Sequence, residues 1–398
     1  MLKNVLKVLS GGVLAQALNF FSFPIIASWY GPATFGDYAI FAFFIAFMPM
    51  LMTLRMEMAL MQDPDESEKN SLILLSLINS VSIFILGLLA SQFFSEKIKI
   101  EIILVTFTSL LIAIQNMAIS IANLKERYWV IAISRILFPI FFLLIIWLAK
   151  DHSVLFPLAT SHMLSTMFVL GFILKASEYK VKLTSLTQMP VVLKKYENYV
   201  KFDLPSGALN ASALLLPAYL IGMFFDEKSS GLYFLAFKLI LSPLGTLTMA
   251  VGYVYRREAV KEYKENKVFF KSTQKMFLFL FLLAVMMLLA YYFMGPTVFG
   301  IFFKEDWLAA LPIISVLMPM FALKLVASPL SFSFYIVDKL KLDLYGQLLF
   351  IVSSVLAIYI GYLLGDFIKA VYFIAISSGL VYLIYAVMSI QFSKGKVA

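Results

Sequence analysis

Long apolar runs separated by short polar breaks dominate this chain of 398 residues. A helix needs about 20 consecutive apolar residues to cross the hydrocarbon core of a bilayer. The pattern therefore predicts an all-α polytopic integral membrane protein with twelve transmembrane helices. The predicted spans are residues 9–29, 35–61, 71–94, 102–124, 128–149, 153–174, 202–225, 232–255, 273–303, 308–335, 344–365 and 367–392. The runs at 273–303 and 308–335 are long and contain prolines, so tilted, kinked and partly re-entrant helices are all open alternatives there.

The longest polar break, at residues 175–201, divides the apolar runs into two groups of six. It predicts an N-terminal six-helix lobe at residues 1–174, a basic cytoplasmic linker at 175–201 and a C-terminal six-helix lobe at 202–398. The predicted outer loops are all short, so no soluble domain is expected. Any function must therefore reside in the helices and their short loops.

Lysine and arginine residues are distributed unevenly between the two sets of loops. With the N-terminus in the cytoplasm, 23 of them fall on the cytoplasmic side and 6 on the outer side. The remaining three, Arg135, Lys238 and Lys324, lie within predicted spans. Cytoplasmic loops of membrane proteins carry an excess of basic residues. The distribution therefore predicts twelve spans with both termini in the cytoplasm.

The composition excludes several classes of protein. Hydrophobic residues make up 62% of the chain and charged residues 14%, with a mean hydropathy of +0.92, whereas a soluble domain averages about 25% charged residues. Cysteine is absent and only two histidines occur, which excludes thiolate chemistry and a histidine-rich metal site. We expect no metal and no cofactor. The first apolar run is too long for a signal peptide, so we expect it to be a retained helix.

Two stretches repeat a helix-hairpin pattern. Residues 36–38 (Gly-Asp-Tyr) and 231–233 (Gly-Leu-Tyr) are separated by 195 residues, close to half of the chain. Pro24 and Pro217 precede them, inside the first helix of each half. Two parallel six-helix halves, related by an axis along the membrane normal, form a transporter architecture. Each proline permits a bend, so both are hinge candidates, with a static kink as the alternative.

The N-terminal hairpin carries the more specific pattern. It reads Gly-Gly at 11–12, Pro24, Tyr-Gly-Pro at 30–32, Phe-Gly-Asp-Tyr at 35–38 and Leu-Arg-Met-Glu-Met-Ala-Leu at 54–60. In these motifs the chain resembles Wzx-type O-antigen flippases. They belong to the polysaccharide-export branch of the multidrug/oligosaccharidyl-lipid/polysaccharide (MOP) superfamily. The chain length, the predicted spans and the basic central loop fit this family along the entire sequence.

This resemblance implies a transporter rather than an enzyme. The family moves undecaprenyl-pyrophosphate-linked repeat units of O-antigen polysaccharide from the cytoplasmic to the periplasmic leaflet of the bacterial inner membrane, a step in lipopolysaccharide biosynthesis. Its fold consists of two six-helix lobes around a central cavity that opens alternately to each side, coupled to an ion gradient rather than to ATP. The expected partners are the lipid-linked oligosaccharide and membrane lipids, and an O-antigen polymerase and a chain-length regulator are candidate protein partners.

The ligand that this resemblance implies carries an anionic diphosphate. An uncompensated charge in the bilayer core costs several kcal/mol or more, so a cavity for this ligand should present cations, hydroxyls and amides. Arg135, Lys238 and Lys324 are the candidate cations, with snorkelling toward the headgroups as the alternative. The candidate amides are Gln16, Asn19, Gln115, Asn116 and Asn210. Interhelical hydrogen bonding is the alternative role for each amide.

Charged residues at the inner ends of predicted spans are candidates for a cytoplasmic gate. They are Arg55, Glu57 and Arg127, and a solvated helix end is the alternative. Arg55 and Glu57 are two positions apart, so on a helix they would not face each other and should pair with other helices. Glu57 and Asp203 are the candidates for ion coupling, because few other carboxylates lie within spans. His162 is interpreted as a packing residue whose hydrogen bonds are satisfied.

Three other classes of protein are weighed against this interpretation. An O-antigen polymerase or ligase would carry a large periplasmic loop, and none is predicted here. A multidrug exporter of the same superfamily is the main alternative, but the first span lacks the carboxylate expected for cation coupling. An ATP-driven pump is excluded within this chain because no phosphate-binding loop occurs. The net charge of +9 is scattered along membrane-proximal loops, which favours anionic lipid over nucleic acid.

Overall fold

The computed structural model describes residues 2–62, 64–152, 154, 156–177, 188–337 and 339–395. Within these residues all regular structure is helical, which confirms the predicted all-α class. The helices are α1 (Leu2–Trp29), α2 (Pro32–Thr53), α3 (Met56–Leu60), α4 (Glu66–Ser91), α5 (Glu96–Leu124), α6 (Tyr128–Ala149), α7 (Pro157–Ser177), α8 (Met189–Lys195), α9 (Leu204–Phe224), α10 (Glu227–Asn266), α11 (Phe270–Phe302), α12 (Glu305–Leu308), α13 (Ala310–Leu330), α14 (Ser333–Ile336), α15 (Leu340–Leu363) and α16 (Phe367–Ser393). A π-helical segment, Tyr199–Asp203, leads directly into α9.

Ten helices in the described part of the chain are long and apolar enough to cross a membrane. They correspond to all of the predicted spans except the first and the eighth, which fall on α1 and α10. The described apolar part of α1, Leu14–Trp29, is shorter than the others, and α10 continues well beyond its apolar part to Asn266. The twelve-span topology and the cytoplasmic termini therefore stay predictions. The proline-containing run at 273–303 lies on one continuous helix, α11, whereas the run at 308–335 is divided among the end of α12, α13 and α14.

The first compact unit comprises Met1–Ser22 and Asp37–Leu215. Helix α5 packs against α4 and α7, and α6 packs against α7. Large apolar side chains fill the space between these helices, and Met56, Leu60 and Leu72 are fully buried in one of the clusters. Such interlocking fixes the rotation of each helix about its own axis, and therefore fixes which polar side chains face one another.

The second compact unit comprises Phe23–Gly36 and Leu216–Ala398. Helix α13 is its centre and packs against α10, α11 and α16. The end of α1 belongs to this unit because α12 caps it: the buried Trp307 indole donates a 3.0 Å hydrogen bond to the Ala27 carbonyl. This carbonyl lies in the last turn of α1, where the backbone offers no partner. The predicted linker lies partly outside the described residues, which omit 178–187.

Helix α2 ends earlier than the predicted span of 35–61, because Leu54 and Arg55 both adopt left-handed backbone conformations, with φ of 53° and 62°. Such a conformation costs a residue other than glycine about 1–2 kcal/mol. The single predicted helix is therefore wrong here, and the chain forms α2, a break and the short α3. Helix α4 satisfies the carbonyls that the break exposes: Asn79 donates to Leu51 and Met52 at 2.9 and 2.8 Å, and Ser76 and Ser80 donate to Thr53 and Met52 at 3.1 and 3.0 Å.

The starts of α2 and α10 cross with backbone in direct contact. A Cβ atom added to Gly36 would lie 1.8 Å from the Glu227 carbonyl oxygen, and one added to Gly231 would lie 1.8 Å from the Pro32 carbonyl oxygen. The contact is reciprocal, because Pro32 and Gly36 are separated from Glu227 and Gly231 by the same 195 residues as in the repeat. A two-fold symmetric contact of this kind is expected between copies of one duplicated hairpin.

Candidate functional site

An ion-pair network occupies the break between α2 and α3. The Arg55 guanidinium lies 2.6 Å from the Asp203 carboxylate at the start of α9 and 3.5 Å from the Glu57 carboxylate. Pairing with another element was expected for Arg55, and the contact with Asp203 confirms it. The expectation that Arg55 and Glu57 would not face each other is wrong, because the left-handed break removes the helical spacing on which it depended.

Glu57 is the most strongly buried carboxylate of this network, with 3% of its surface exposed. Its Oε2 atom has no hydrogen-bond partner among the described residues. Burial raises the pKa of the Glu57 carboxyl, against the opposing effects of a hydrogen bond to Thr53 and the nearby Arg55 charge. Gly207 of α9 leaves room for Arg55, since an added Cβ would lie 3.3 Å from the guanidinium. The site is thus closely packed, and the protonation of one carboxyl can alter it.

A cluster of aromatic rings surrounds Lys324 in the second unit. The ammonium lies 5.9 Å from the ring centroid of Phe237 on α10, 5.8 Å from that of Phe321 on α13 and 5.7 Å from that of Tyr382 on α16. The packing of α13 against α10 and α16 brings these three rings together. Within the described part of the chain, Lys324 forms no ion pair with a carboxylate.

Lys238 of α10, also in the second unit, lies beside a different ring. Its ammonium is 5.4 Å from the ring centroid of Phe234, and it too lacks an ion pair among the described residues. Phe234 is one helical turn before Lys238, just as Phe321 is one turn before Lys324. Lys324 thus leans toward the start of α13, as helical side chains generally do. Snorkelling toward the headgroups stays the alternative to a substrate role for both lysines.

A groove of about 670 Å³ lies on the second unit, between α11, α13 and α16. Its lining is Tyr292, Pro312, Ser315, Val316, Pro319, Met320, Leu323, Tyr372, Ala375, Ile376, Gly379, Leu380 and Leu383. These walls carry hydroxyls from one serine and two tyrosines but no charged group. The groove therefore suits hydrocarbon, and the two lysines that could bind an anion lie outside it.

The other candidate residues are dispersed. Arg135 and Asn210 are exposed, whereas Gln16, Asn19, Gln115 and Asn116 are partly buried. All six belong to the first unit, and Lys238 and Lys324 belong to the second. The Arg127 guanidinium donates to the Ala176 carbonyl and so ties the start of α6 to the end of α7.

Both candidate hinges lie where the chain passes from one unit to the other. Pro24 is inside α1, two residues after Ser22, and Pro217 is inside α9, two residues after Leu215. A proline within a helix removes one backbone hydrogen bond and permits a bend at that level. The hinge role remains a prediction.

The aromatic rings around the two lysines and the partner of His162 could not be predicted from the sequence. The Tyr38 hydroxyl lies 2.8 Å from His162 Nδ1, so this histidine is a packing residue with a hydrogen-bond partner, as expected. The signal available in the sequence was that His162 is the histidine within a predicted span. Its partner is 124 residues away along the chain, and residue spacing cannot predict a contact at that separation.

A model of the family described as "Polysaccharide biosynthesis protein" matches residues 25–312, well over half of the chain. No curated protein sequence matches significantly.

Solved structures with the same fold are transporters. The lipid II flippase MurJ in an inward closed conformation aligns with a TM-score of 0.75 at 15% identity, over 97% of this chain and 89% of that chain. An inward-facing multidrug resistance MATE family transporter of the MOP superfamily aligns with a TM-score of 0.64 at 15% identity, over 96% of both chains. A MOP superfamily transporter from Pyrococcus furiosus, noted for reverse polarity of its binding pocket, aligns with a TM-score of 0.57 at 14% identity, over 99% of this chain and 95% of that one. These similarities confirm the predicted MOP fold.

Proposed function

Because this chain belongs to the polysaccharide biosynthesis protein family and has the fold of MOP transporters, we propose that it flips undecaprenyl-pyrophosphate-linked O-antigen or related polysaccharide repeat units. The direction is from the cytoplasmic to the periplasmic leaflet of a bacterial inner membrane. The protein is a transporter and not an enzyme. It works by alternating access and takes its energy from an ion gradient.

The observation that carries this proposal is the pair of lysines in the second unit. Lys324 lies on a helix able to span the membrane and Lys238 lies in a predicted span, each beside an aromatic ring, and neither has a carboxylate partner among the described residues. A lone ammonium in the bilayer core is expensive unless an anion or water compensates it. A diphosphate bears the charge that two such ammonium groups would neutralise, and lysine acts as a point-charge ligand for phosphate.

The remaining parts of the substrate have complementary surfaces. The polyprenyl chain is hydrocarbon, and the uncharged groove between α11, α13 and α16 offers an apolar surface of that kind. Sugars carry many hydroxyls, for which Gln16, Asn19, Gln115, Asn116 and Asn210 provide amides. Arg135, exposed on α6 of the first unit, is a separate candidate cation for an anionic ligand.

The network at the α2–α3 break provides the proposed cytoplasmic gate. Arg55 joins Glu57 of α3 to Asp203 at the start of α9, so breaking these ion pairs would release α9 from α3. Bending at Pro24 and Pro217 would accompany that release. Arg127 would act on the same side by holding α6 to α7. Glu57 and Asp203 are also groups whose occupation by an ion could trigger the gate.

A multidrug exporter is the rival function, since MATE transporters share the fold. Many substrates of such exporters are cationic, and two ammonium groups without a carboxylate partner among the described residues would repel them. The lysines of the second unit therefore favour an anionic substrate.

The proposal is tested by neutralising the lysines. Lys324→Gln and Lys238→Gln should each lower flipping by about tenfold or more, because a lost charge contact of about 1.4 kcal/mol changes an equilibrium tenfold. The readouts are surface polysaccharide in a strain lacking its own flippase, and translocation of a fluorescent polyprenyl-diphosphate sugar in proteoliposomes. Lys324→Arg should retain part of the activity.

The matched control is Lys228→Gln, which removes an exposed charge at the start of the same helix as Lys238. It should flip at the wild-type rate. Full activity of the Lys238→Gln/Lys324→Gln double variant would remove these residues from the site. Export of cationic dyes together with failure to flip the lipid would favour the multidrug function instead.

A further inference from the structure

A polar pair lies inside an aromatic cluster in the first unit. Tyr38 of α2 and His162 of α7 share a hydrogen bond of 2.8 Å between the hydroxyl and Nδ1. The ring centroids of Phe138, Phe41 and Phe142 lie 4.8, 5.6 and 5.9 Å from that of His162, with the planes inclined by 63°, 69° and 72°. The Tyr38 ring itself is 6.0 Å away. These five residues are called the His162 cluster below.

The imidazole of His162 and the surrounding rings have the chemistry needed to bind a proton. Histidine is the side chain whose charge normally changes between pH 5 and 8, and aromatic rings attract a cation within about 6 Å. Neutral imidazole can accept a hydrogen bond at Nδ1, whereas the imidazolium must donate from both nitrogens. Protonated His162 would therefore donate to the Tyr38 oxygen, in a charge-assisted bond about twice as strong as a neutral one.

The charged groups nearest the cluster along the chain lie at the starts of α2 and α5. On α2 the charged residue is Asp37, next to Tyr38 in the chain. On α5, which packs against α7, they are Glu96, Lys97, Lys99 and Glu101. Lys99 pairs with Glu96 at 3.5 Å, and Glu101 interacts electrostatically with Asp37 and Lys97. Helix α6 carries no charged residue beyond Arg135, and α7 carries none before Lys175. The set that interacts around Glu101 thus has two carboxylates and one ammonium, a balance that favours a cation.

The position of Tyr38 connects the cluster to the rest of the fold. Helix α2 passes from the second unit to the first between Gly36 and Asp37, and Gly36 is the residue that contacts the start of α10. Tyr38 lies only two positions further along. A change in the hydrogen bond between Tyr38 and His162 therefore acts directly on the segment of α2 beside that helix crossing.

We propose that the His162 cluster is a proton-binding site and that its proton is the coupling ion of this transporter. Uptake of a proton strengthens the hold of α7 on α2, and release of the proton weakens it. The claim that this proton is the coupling ion rests on the proposed flippase function, whereas the claim that the cluster binds a proton does not. The proposal moves the coupling site away from Glu57 and Asp203.

Proton binding by His162 is tested by NMR on the full chain in lipid nanodiscs, without substrate. The chain has two histidines, so His152→Asn leaves His162 as the single ¹⁵N-labelled imidazole. Its nitrogen shifts should titrate between pH 5 and 8. Tyr38→Phe should move the midpoint down by about one pH unit, since the lost bond differs between the two protonation states by about 1.4 kcal/mol. An imidazole that does not titrate, or a midpoint unchanged by Tyr38→Phe, overturns the site.

Coupling of the proton to flipping is tested in proteoliposomes with an imposed pH gradient. Wild-type flipping should accelerate with the gradient, and His162→Gln should lose that acceleration, whereas His152→Asn should keep it. If His162→Gln responds to the gradient as the wild type does, the coupling is overturned and the flippase function stands. If the wild type flips no lipid under any condition, the flippase function fails, while the titration still decides the proton site.

A purely structural role for His162 predicts a different pattern. Replacing it would then lower thermal stability and flipping together at every pH, with no change in the pH profile. Phe138→Leu keeps an apolar side chain but removes the nearest ring, and it should lower the midpoint of the His162 titration. An unaltered midpoint in this variant would contradict the cation-binding role of the rings.

Discussion

At the scale of the residue, the notable groups are charges whose compensation is incomplete or comes from distant parts of the chain. Glu57 is 3% exposed, and one of its carboxylate oxygens is unpaired within the described residues. An unsatisfied buried polar group costs about 1–3 kcal/mol. The left-handed conformations of Leu54 and Arg55 add backbone strain beside it. Backbone strain and an unsatisfied buried oxygen at one point are typical of segments that change conformation.

Glu57→Gln should therefore stabilise the protein at neutral and higher pH. Burial raises the pKa of Glu57 in the folded protein, so the folded state binds the proton more tightly than the unfolded state. Stability must then fall as the pH rises through the interval between the two pKa values. Glutamine imitates the protonated carboxyl, so the gain should reach about 1–3 kcal/mol above that interval and vanish below it.

The measurement is thermal unfolding as a function of pH, for the wild type and for Glu57→Gln. Glu258→Gln, which alters an exposed carboxylate in the last third of α10, is the control and should leave the profile unchanged. A Glu57→Gln variant that is less stable than the wild type at pH 8 would show that the charged form is the stabilising one.

At the scale of the element, two glycines determine how closely helices approach. Gly36 and Gly231 allow the backbones of α2 and α10 to touch, with a reciprocal contact to Glu227 and Pro32. Small residues serve this purpose in membrane proteins because lipid provides little hydrophobic force between helices. The shared spacing of 195 residues makes this crossing the structural counterpart of the sequence repeat.

Alanine in place of either glycine should separate the two helices. A Cβ on Gly231 would lie 1.8 Å from the Pro32 carbonyl oxygen. A backbone atom cannot avoid this clash by changing rotamer, so the helix itself must move. Gly231→Ala should therefore lower the melting temperature, although alanine favours helix over glycine by about 1 kcal/mol. Gly245→Ala is the matched control in the same helix, because nothing lies within 4 Å of its added Cβ, and it should hold or raise the melting temperature. Equal melting temperatures for the two variants would contradict the close crossing.

At the scale of the whole molecule, the distribution of basic residues predicts the orientation in the membrane. Helix α10 is a direct reporter, because its 40 residues extend for about 60 Å at 1.5 Å per residue. That length exceeds the roughly 30 Å hydrocarbon core. Both ends of α10 should therefore project from the membrane. The basic residues predict that its C-terminal end lies in the cytoplasm and its start on the outer side.

Cysteine scanning checks this orientation without a background, since the chain has no cysteine of its own. In intact spheroplasts, Lys228→Cys should react with a membrane-impermeant maleimide, and Lys264→Cys should react only after permeabilisation. Both residues are exposed at opposite ends of α10, so access to the label depends on sidedness rather than burial. The reverse labelling pattern would overturn the predicted topology.

Most spans could be located from the sequence because lipid imposes a length and an apolar composition on each of them. The run predicted at 128–149 coincides with α6, and that at 367–392 ends one residue short of α16. The prediction of one span at 35–61 was wrong at Leu54, where the backbone is left-handed. Ser76, Asn79 and Ser80 of α4 bond to the carbonyls that this break exposes. A run of apolar residues gives no sign of such bonds from another helix.

Among the candidate residues, the cations could be singled out from the sequence, but their neighbours could not. Lys324 stood out because a charge in a span is costly, whereas its ring partners Phe237 and Tyr382 belong to helices far away in the chain. His162 was expected to be a satisfied packing residue, and only the structure identified Tyr38 as its hydrogen-bond partner. Arg55 was expected to find a distant partner, and only the structure named Asp203.

The sequence by itself determined the all-helical class, the approximate spans, the repeat and the resemblance to O-antigen flippases. Hydropathy, charge asymmetry and short motifs are properties of contiguous residues, and the bilayer acts on them directly. The tertiary structure alone decided the break after Thr53, the glycine crossing of α2 and α10, the rings around Lys324 and the bond between Tyr38 and His162. These features depend on how each helix is rotated about its axis, and the packing of neighbouring helices sets that rotation.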